Sequence, residues 1–228
     1  MTAKSIYETL TESQQIHKKK LMEALKSFVP SGALDRCTEL IMYYKLHLHI
    51  EVERKGRYGD YSPHSGHGNR ISVNHNLSQF EFLITFIHEL SHHTCYIKHG
   101  PHHEAHGEEW KMEFRINMKP FLDSEVFPYD LRAALSKHMV NPKYSQSADV
   151  KLLQLLKKYD KSKQDIIHVS ELQDGMVFTI KNYPNSWMRR IKKMRTYSLC
   201  ESLDGKNKYK VHLMAEVAEF KSDETTLQ

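Results

Sequence analysis

His88, Glu89 and His92 stand together in the stretch FIHELSHHTC, residues 86–95. Residues four apart on a helix share one face, so two such imidazoles can reach a single metal ion. Glu89 is rotated about 100° from His88 on a helix, which sets its carboxylate beside the ion rather than on it. A general base for a water molecule belongs there. A catalytic zinc takes three protein ligands and leaves one position open, so a third ligand must come from elsewhere. The chain is rich in histidine: it has 16, and seven fall between His88 and His106. That density supplies ligands, but it also raises the rate of chance matches, so the surrounding elements must decide.

The spacing HExxHxxGxxH would need Gly at 95 and His at 98. The chain has Cys95 and Lys98, which excludes that class. The remaining candidates are Glu109, Glu113, His99, His102, His103 and His106. His106 stands beside Gly107 at the start of the next helical pattern, where a rigid element can hold it, and is the preferred third ligand.

The elements around the motif are readable. Ser78 and Glu81 form an S-x-x-E capping box, with Leu77 and Phe82 as the hydrophobic staple. The helix they start should run to about residue 97, before Gly100-Pro101 stops it. Phe82, Leu83, Phe86, Ile87 and Leu90 make it a core helix, on which two histidines and a glutamate are costly without a partner. Upstream, residues 5–28 read as an amphipathic helix ended near Pro30 and Gly32, and residues 34–44 as a second helix. KLHLHIEVER (residues 45–54) alternates apolar and polar side chains, as a strand does. A loop, KGRYGDYSPHSGHG (residues 55–68), then leads to a short strand NRISVN (69–74). The two strands are expected to pair as a hairpin. Residues 106–118 read as a further helix closed by Pro120, and residues 129–138 as a short one.

The pattern changes after residue 140. Residues 141–149, NPKYSQSAD, read as a linker, followed by a basic helix to about residue 161. From residue 166 on the pattern is β: GMVFTI, RTYSLCES and KYKVHLMAEV, broken by YPNS and an Asp204-Gly205 turn. The expected organisation is a domain over residues 1–140, a linker and basic helix over 141–164, and an antiparallel β module of three or four strands over 165–228. The fold class is α+β.

The formal net charge is +5. From residue 151 on there are 15 Lys and Arg against 10 Asp and Glu, whereas the first 150 residues hold 18 of each. The excess therefore sits in the C-terminal third and suggests a nucleic-acid or other anionic partner; on charge alone a solvated lysine-rich surface is the better reading. In NSWMRRIKKMRT and KNKYK, basic residues interleave with Trp187, Tyr197 and Tyr209. Such aromatics can stack on bases while the cations meet phosphate. For Tyr197 and Tyr209 a place in the core of the small sheet is the preferred reading; for Trp187 both stay open.

Apolar residues make up 39% and charged residues 27%, enough for a buried core and against wholesale disorder. No apolar run reaches membrane-spanning length and MTAKSIYETL is not a signal-peptide pattern, so no membrane partner is expected and a cytoplasmic protein is the default. Cys37, Cys95 and Cys200 lie far apart, which offers no disulfide framework and no thiolate zinc site. Cys95 reads as a small core residue. His64 and His67 could form a second metal site, but incidental histidines in a loop are the better reading.

FLITFIHELSHHTC followed by HGEEWKMEF resembles the SprT-like metalloproteases, the family that includes Spartan. Their pattern is HExxH on one helix and a later HG-x-x-[FW]. RISVNHNL is similar to the family's strand before the active helix. The resemblance covers roughly residues 30–120 and implies a zincin-like domain, its active helix packed on a small antiparallel sheet. It implies zinc on His88, His92 and His106, with Glu89 as the catalytic acid/base. Many members carry a C-terminal four-cysteine zinc ribbon; here only Cys200 stands in that region, so the β module would be its cysteine-poor counterpart.

The expected chemistry is peptide hydrolysis. Zinc activates a water and polarises the scissile carbonyl, while Glu89 takes the proton and passes it to the leaving amine. The strand at residues 70–74 is expected to offer its edge to an extended substrate. Tyr58, Tyr61 and His75 are the candidates for oxyanion stabilisation. The expected substrate is protein, held at or crosslinked to DNA. The competing readings are a non-proteolytic, DNA-associated zinc module and a zinc peptidase unrelated to nucleic acid.

Overall fold

The computed structural model describes residues 10–54, 56–65, 68–143, 149–160 and 165–221. Residues 5–9, His67 and most of the expected linker lie outside the described residues, as does the end of the basic helix. The described residues form six α-helices and two small sheets, an α+β arrangement. The chain divides into two compact units, Met1–Pro142 and Lys143–Gln228.

In the first unit, α1 (Glu12–Leu25) starts later than its periodicity suggests. Thr11 is extended and caps it, in a box with Gln14. α2 (Ser31–Tyr44) ends on Lys45, whose left-handed backbone (φ 49°) turns the chain into β1 (His47–Glu51).

The segment after β1, expected to be a loop, contains a further strand, β2 (Gly59–Ser65). It is poor in β-formers, with Gly59, Asp60, Ser62, Pro63 and Ser65. Antiparallel pairing with β3 (Gly68–Asn74) holds it. β1 and β3 do not make a hairpin: they run parallel, and the sheet order is β1-β3-β2. The sheet is thus mixed, not antiparallel as expected. β3 is its centre, paired on both sides, so residues 70–74 have no edge to offer a substrate; β2 stands at the edge instead.

As a central strand, β3 is buried on both faces. Ile71 and Val73 fill one, and Ser72 and Asn74 are buried on the other. Arg54 satisfies that polar side: Nε donates to Asn74 Oδ1 at 2.9 Å and Nη1 to Ser72 Oγ at 3.0 Å.

α3 (Gln79–His99) starts with the expected capping box, Ser78 with Glu81, and ends at Gly100. It packs on β2, β3 and α4. α4 (Glu108–Asp123) runs through Pro120 instead of stopping there. Pro120 falls in the last turns of the helix, and the buried Phe121 beyond it anchors that end in the core. α5 (Tyr129–Val140) completes the unit.

The second unit opens with α6 (Val150–Tyr159), capped by Asp149 and burying Leu152, Leu153 and Leu156. Its sheet has five strands, more than expected: β4 (Val177–Ile180), β5 (Tyr183–Lys193), β6 (Tyr197–Ser202), β7 (Lys208–His212) and β8 (Val217–Lys221). The order is β7-β6-β5-β4-β8, all antiparallel: a four-strand meander whose fifth strand returns to β4. YPNS opens β5 rather than breaking the sheet, and KYKVHLMAEV divides into two strands. Val169, Leu172, Phe178, Met188, Cys200 and Val211 form the core. The buried Arg190 donates to the carbonyls of Val169 and Leu172 and pairs with Asp174 at 3.0 Å.

Candidate metal centre

His88 and His92 lie one turn apart on α3, and His106 enters from the segment just before α4. Their Nε2 atoms form a nearly equilateral triangle: 3.3 Å from His88 to His92, 3.1 Å from His92 to His106 and 3.2 Å from His106 to His88. An ion with tetrahedral bonds of about 2.0–2.1 Å to nitrogen would hold its ligands about 3.3–3.4 Å apart. A ring of mutual hydrogen bonds suits this triangle poorly, because an N–H aimed at its centre lies about 30° off each N···N line, whereas hydrogen bonds prefer to be nearly linear. The three nitrogens therefore fit a shared ion. Among the described residues this is the group of histidine, cysteine and acidic side chains whose ligand atoms converge in this way.

The electrostatics agree. Burial pushes the His88 imidazole well below its ordinary range, with the neighbouring His92, His106 and His138 adding to the effect. Burial, reinforced by His106 and His103, takes His92 down to about 3. Burial lowers His106 too. Neutral imidazoles keep the lone pairs that a metal needs.

Trp110 supplies the floor. It is fully buried, and its ring centroid lies 4.7 Å from His88, 5.4 Å from His92 and 4.7 Å from His106. Phe114, one turn on, packs on Trp110 at 4.9 Å. In the sequence Trp110 is visible only as the last residue of HGEEW; its place three residues after Gly107 puts it in the first turn of α4, under the histidines.

α4 is tied to α3 by polar contacts. Asn117 Nδ2 donates to Thr94 Oγ1 at 3.0 Å and to Ser91 Oγ at 3.2 Å. Lys98 on α3 donates to both carboxylate oxygens of the buried Glu113, at 2.7 and 2.8 Å. These contacts fix the helix that follows His106.

Glu89 follows His88 on α3 and is only 6% exposed. Burial raises its carboxyl to about 8; Asp60 adds to this, and Arg54 and Arg57 oppose it. A bound dication would pull it back down. β2 passes directly over this side chain at Gly59.

The other candidate ligands are not brought to the triangle. Glu113 is held by Lys98. His99, His102 and Glu109 are exposed, and His103 Nδ1 donates to the Gly100 carbonyl at 2.6 Å. Cys95 is fully buried. Of the oxyanion candidates, the Tyr61 hydroxyl contacts Asn69 Oδ1 at 3.3 Å and His93 Nδ1 at 3.2 Å, and burial pushes it up to about 12. His75 bonds the Glu51 carbonyl, and Tyr58 is 42% exposed.

In the second unit, Tyr197 and Tyr209 are each 43% exposed, so the core placement expected for them does not hold. Strand alternation puts Tyr209 on the face opposite its neighbours Lys208 and Lys210. The register aligns Arg189, Glu201 and Lys208 in one row, Lys192, Leu199 and Lys210 in the next, and Tyr197 with His212 beyond. Lys221 lies over the Trp187 ring at 4.9 Å. Among the described residues no helix is long and apolar enough to cross a membrane.

Compared with protein-family models, with curated proteins and with solved structures, the chain matches none.

Proposed function

We propose that this chain is a zinc-dependent endopeptidase of the SprT-like, zincin-like type, acting on proteins held at or crosslinked to DNA. The observation that carries the reading is the Nε2 triangle of His88, His92 and His106, with Glu89 next to His88 on the same helix. Three neutral nitrogens are a donor set that suits zinc. The intact carboxylate favours an enzyme, because a purely structural site has no use for a base beside it.

His88, His92 and His106 would hold the ion. When bound, zinc supplies Lewis acidity, activating a water and polarising the scissile carbonyl. Glu89 takes a proton from the attacking water and delivers it to the leaving amine nitrogen as the peptide bond breaks. An extended substrate would add to the edge strand β2, which lies against α3. DNA would be met by the basic rows of β5, β6 and β7 in the second unit.

The test compares wild type with Glu89→Gln on DNA-bound protein substrates and on self-cleavage, with and without DNA. Wild type should cut, and Glu89→Gln should keep zinc but lose turnover. Equal cutting by both, or none by either, would sink the protease reading.

A further inference from the structure

Gly59 sits on β2 where the strand crosses α3. Its backbone is not in the left-handed region, so nothing conformational calls for glycine there. Glycine inside a strand also weakens it. The reason for the residue is space. A Cβ at position 59 would lie 2.7 Å from Glu89 Oε1, 2.8 Å from Glu89 Cγ and 2.8 Å from Thr85 Cγ2. Real Cβ atoms do not approach that closely, so something would have to move. Thr85 is 3% exposed and β-branched, hence stiff at χ1. The long Glu89 side chain is the freer of the two neighbours, so its carboxylate gives way furthest.

We infer that Gly59 is a positioning residue: the bare backbone of β2 is the wall that fixes where the Glu89 carboxylate stands. The role rests on the proposed reading of Glu89 as the proton carrier. None of the three histidines supplies one of the three atoms nearest that Cβ. A methyl group at 59 therefore meets the carboxylate before any ligand, and displaces it while the ligand triangle stays in place.

The test is Gly59→Ala in the full chain. Zinc content after dialysis should stay equimolar and KM should hold, while kcat falls by about 100-fold, the scale expected when a reacting group is misplaced by about 1 Å. A double-mutant cycle with Glu89→Ala gives a readout independent of activity. Alanine removes both Glu89 atoms that a Cβ at 59 would meet, so the drop in melting temperature caused by Gly59→Ala should shrink in the Glu89→Ala background. If Gly59→Ala does not fold, the double variant should. An unchanged kcat, a loss of zinc with the loss of turnover, an equal drop in both backgrounds, or a double variant that also fails to fold would each overturn the inference. Should wild type cut no substrate, the protease reading falls, while the melting cycle still decides whether Gly59 sets the carboxylate.

Discussion

His88 and Trp110 face each other across 4.7 Å, an imidazole from α3 on an indole from α4. The same indole meets His92 and His106 and is shut off from solvent. Trp110→Ala should therefore remove support from all three rings together. It is expected to cost about 3–5 kcal/mol in denaturant unfolding. It should also weaken zinc binding by about 10–100-fold, the range seen when groups that orient ligands are lost. Trp110→Phe should lose less of both. Chelator competition and urea titration of the same samples provide the measurement.

Zinc itself should stabilise the chain. With free zinc at about 1,000 times its dissociation constant, the gain is about 4 kcal/mol. His106→Ala should lose most of that increment, and Glu89→Gln should retain it. Melting curves with zinc and with chelator, for the three proteins side by side, check the point.

Ser78 carries the start of α3 through its capping box with Glu81. Ser78→Ala should cost about 1 kcal/mol. Its midpoint in urea should shift while the slope stays fixed, and the zinc stoichiometry should not change.

The helix α3 was legible because its signals are local: a cap, a staple, an apolar stripe and a glycine stop all lie within residues 77–100. The nitrogen triangle was legible for a related reason, since His88 and His92 share a face by helix geometry alone. What stayed hidden depends on distant partners. β2 has almost no strand character of its own and exists through its pairing with β3. The parallel run of β1 beside β3 leaves no trace in either segment. Pro120 reads as a stop, yet the buried Phe121 keeps the helix going. Tyr197 and Tyr209 look like core by residue type; only the register shows that they are exposed.

His168 should give the second unit a pH-dependent stability. Burial lowers its pKa, and Lys157 adds to that, while Glu171 and Glu216 pull the other way. The unfolded chain has the ordinary value of 6.5, so unfolding takes up a proton below that pH. Stability from the neutral ring is fully present above about pH 7 and is lost as pH falls through 6.5 toward the lowered value. Urea unfolding of a Trp110→Phe chain, followed by Trp187 fluorescence, should show midpoints falling from pH 7 to pH 5. His168→Gln should flatten that slope.

If the basic rows of the second sheet meet phosphate, Lys192→Gln and Lys210→Gln should each weaken DNA binding about equally for all sequences. Each should reduce the slope of log affinity against log salt by about 1. Fluorescence anisotropy over a salt series measures it. A slope near zero in wild type would remove DNA from the proposal.

The nitrogen triangle also decides which cations the protein ignores. Magnesium and calcium favour oxygen donors and larger coordination shells, and three imidazoles on 3.1–3.3 Å edges offer neither. Millimolar alkaline-earth ions in a cell would thus not compete for the seat. A calcium-selective chelator should leave the protein untouched, whereas one that prefers soft, nitrogen-loving metals should strip it.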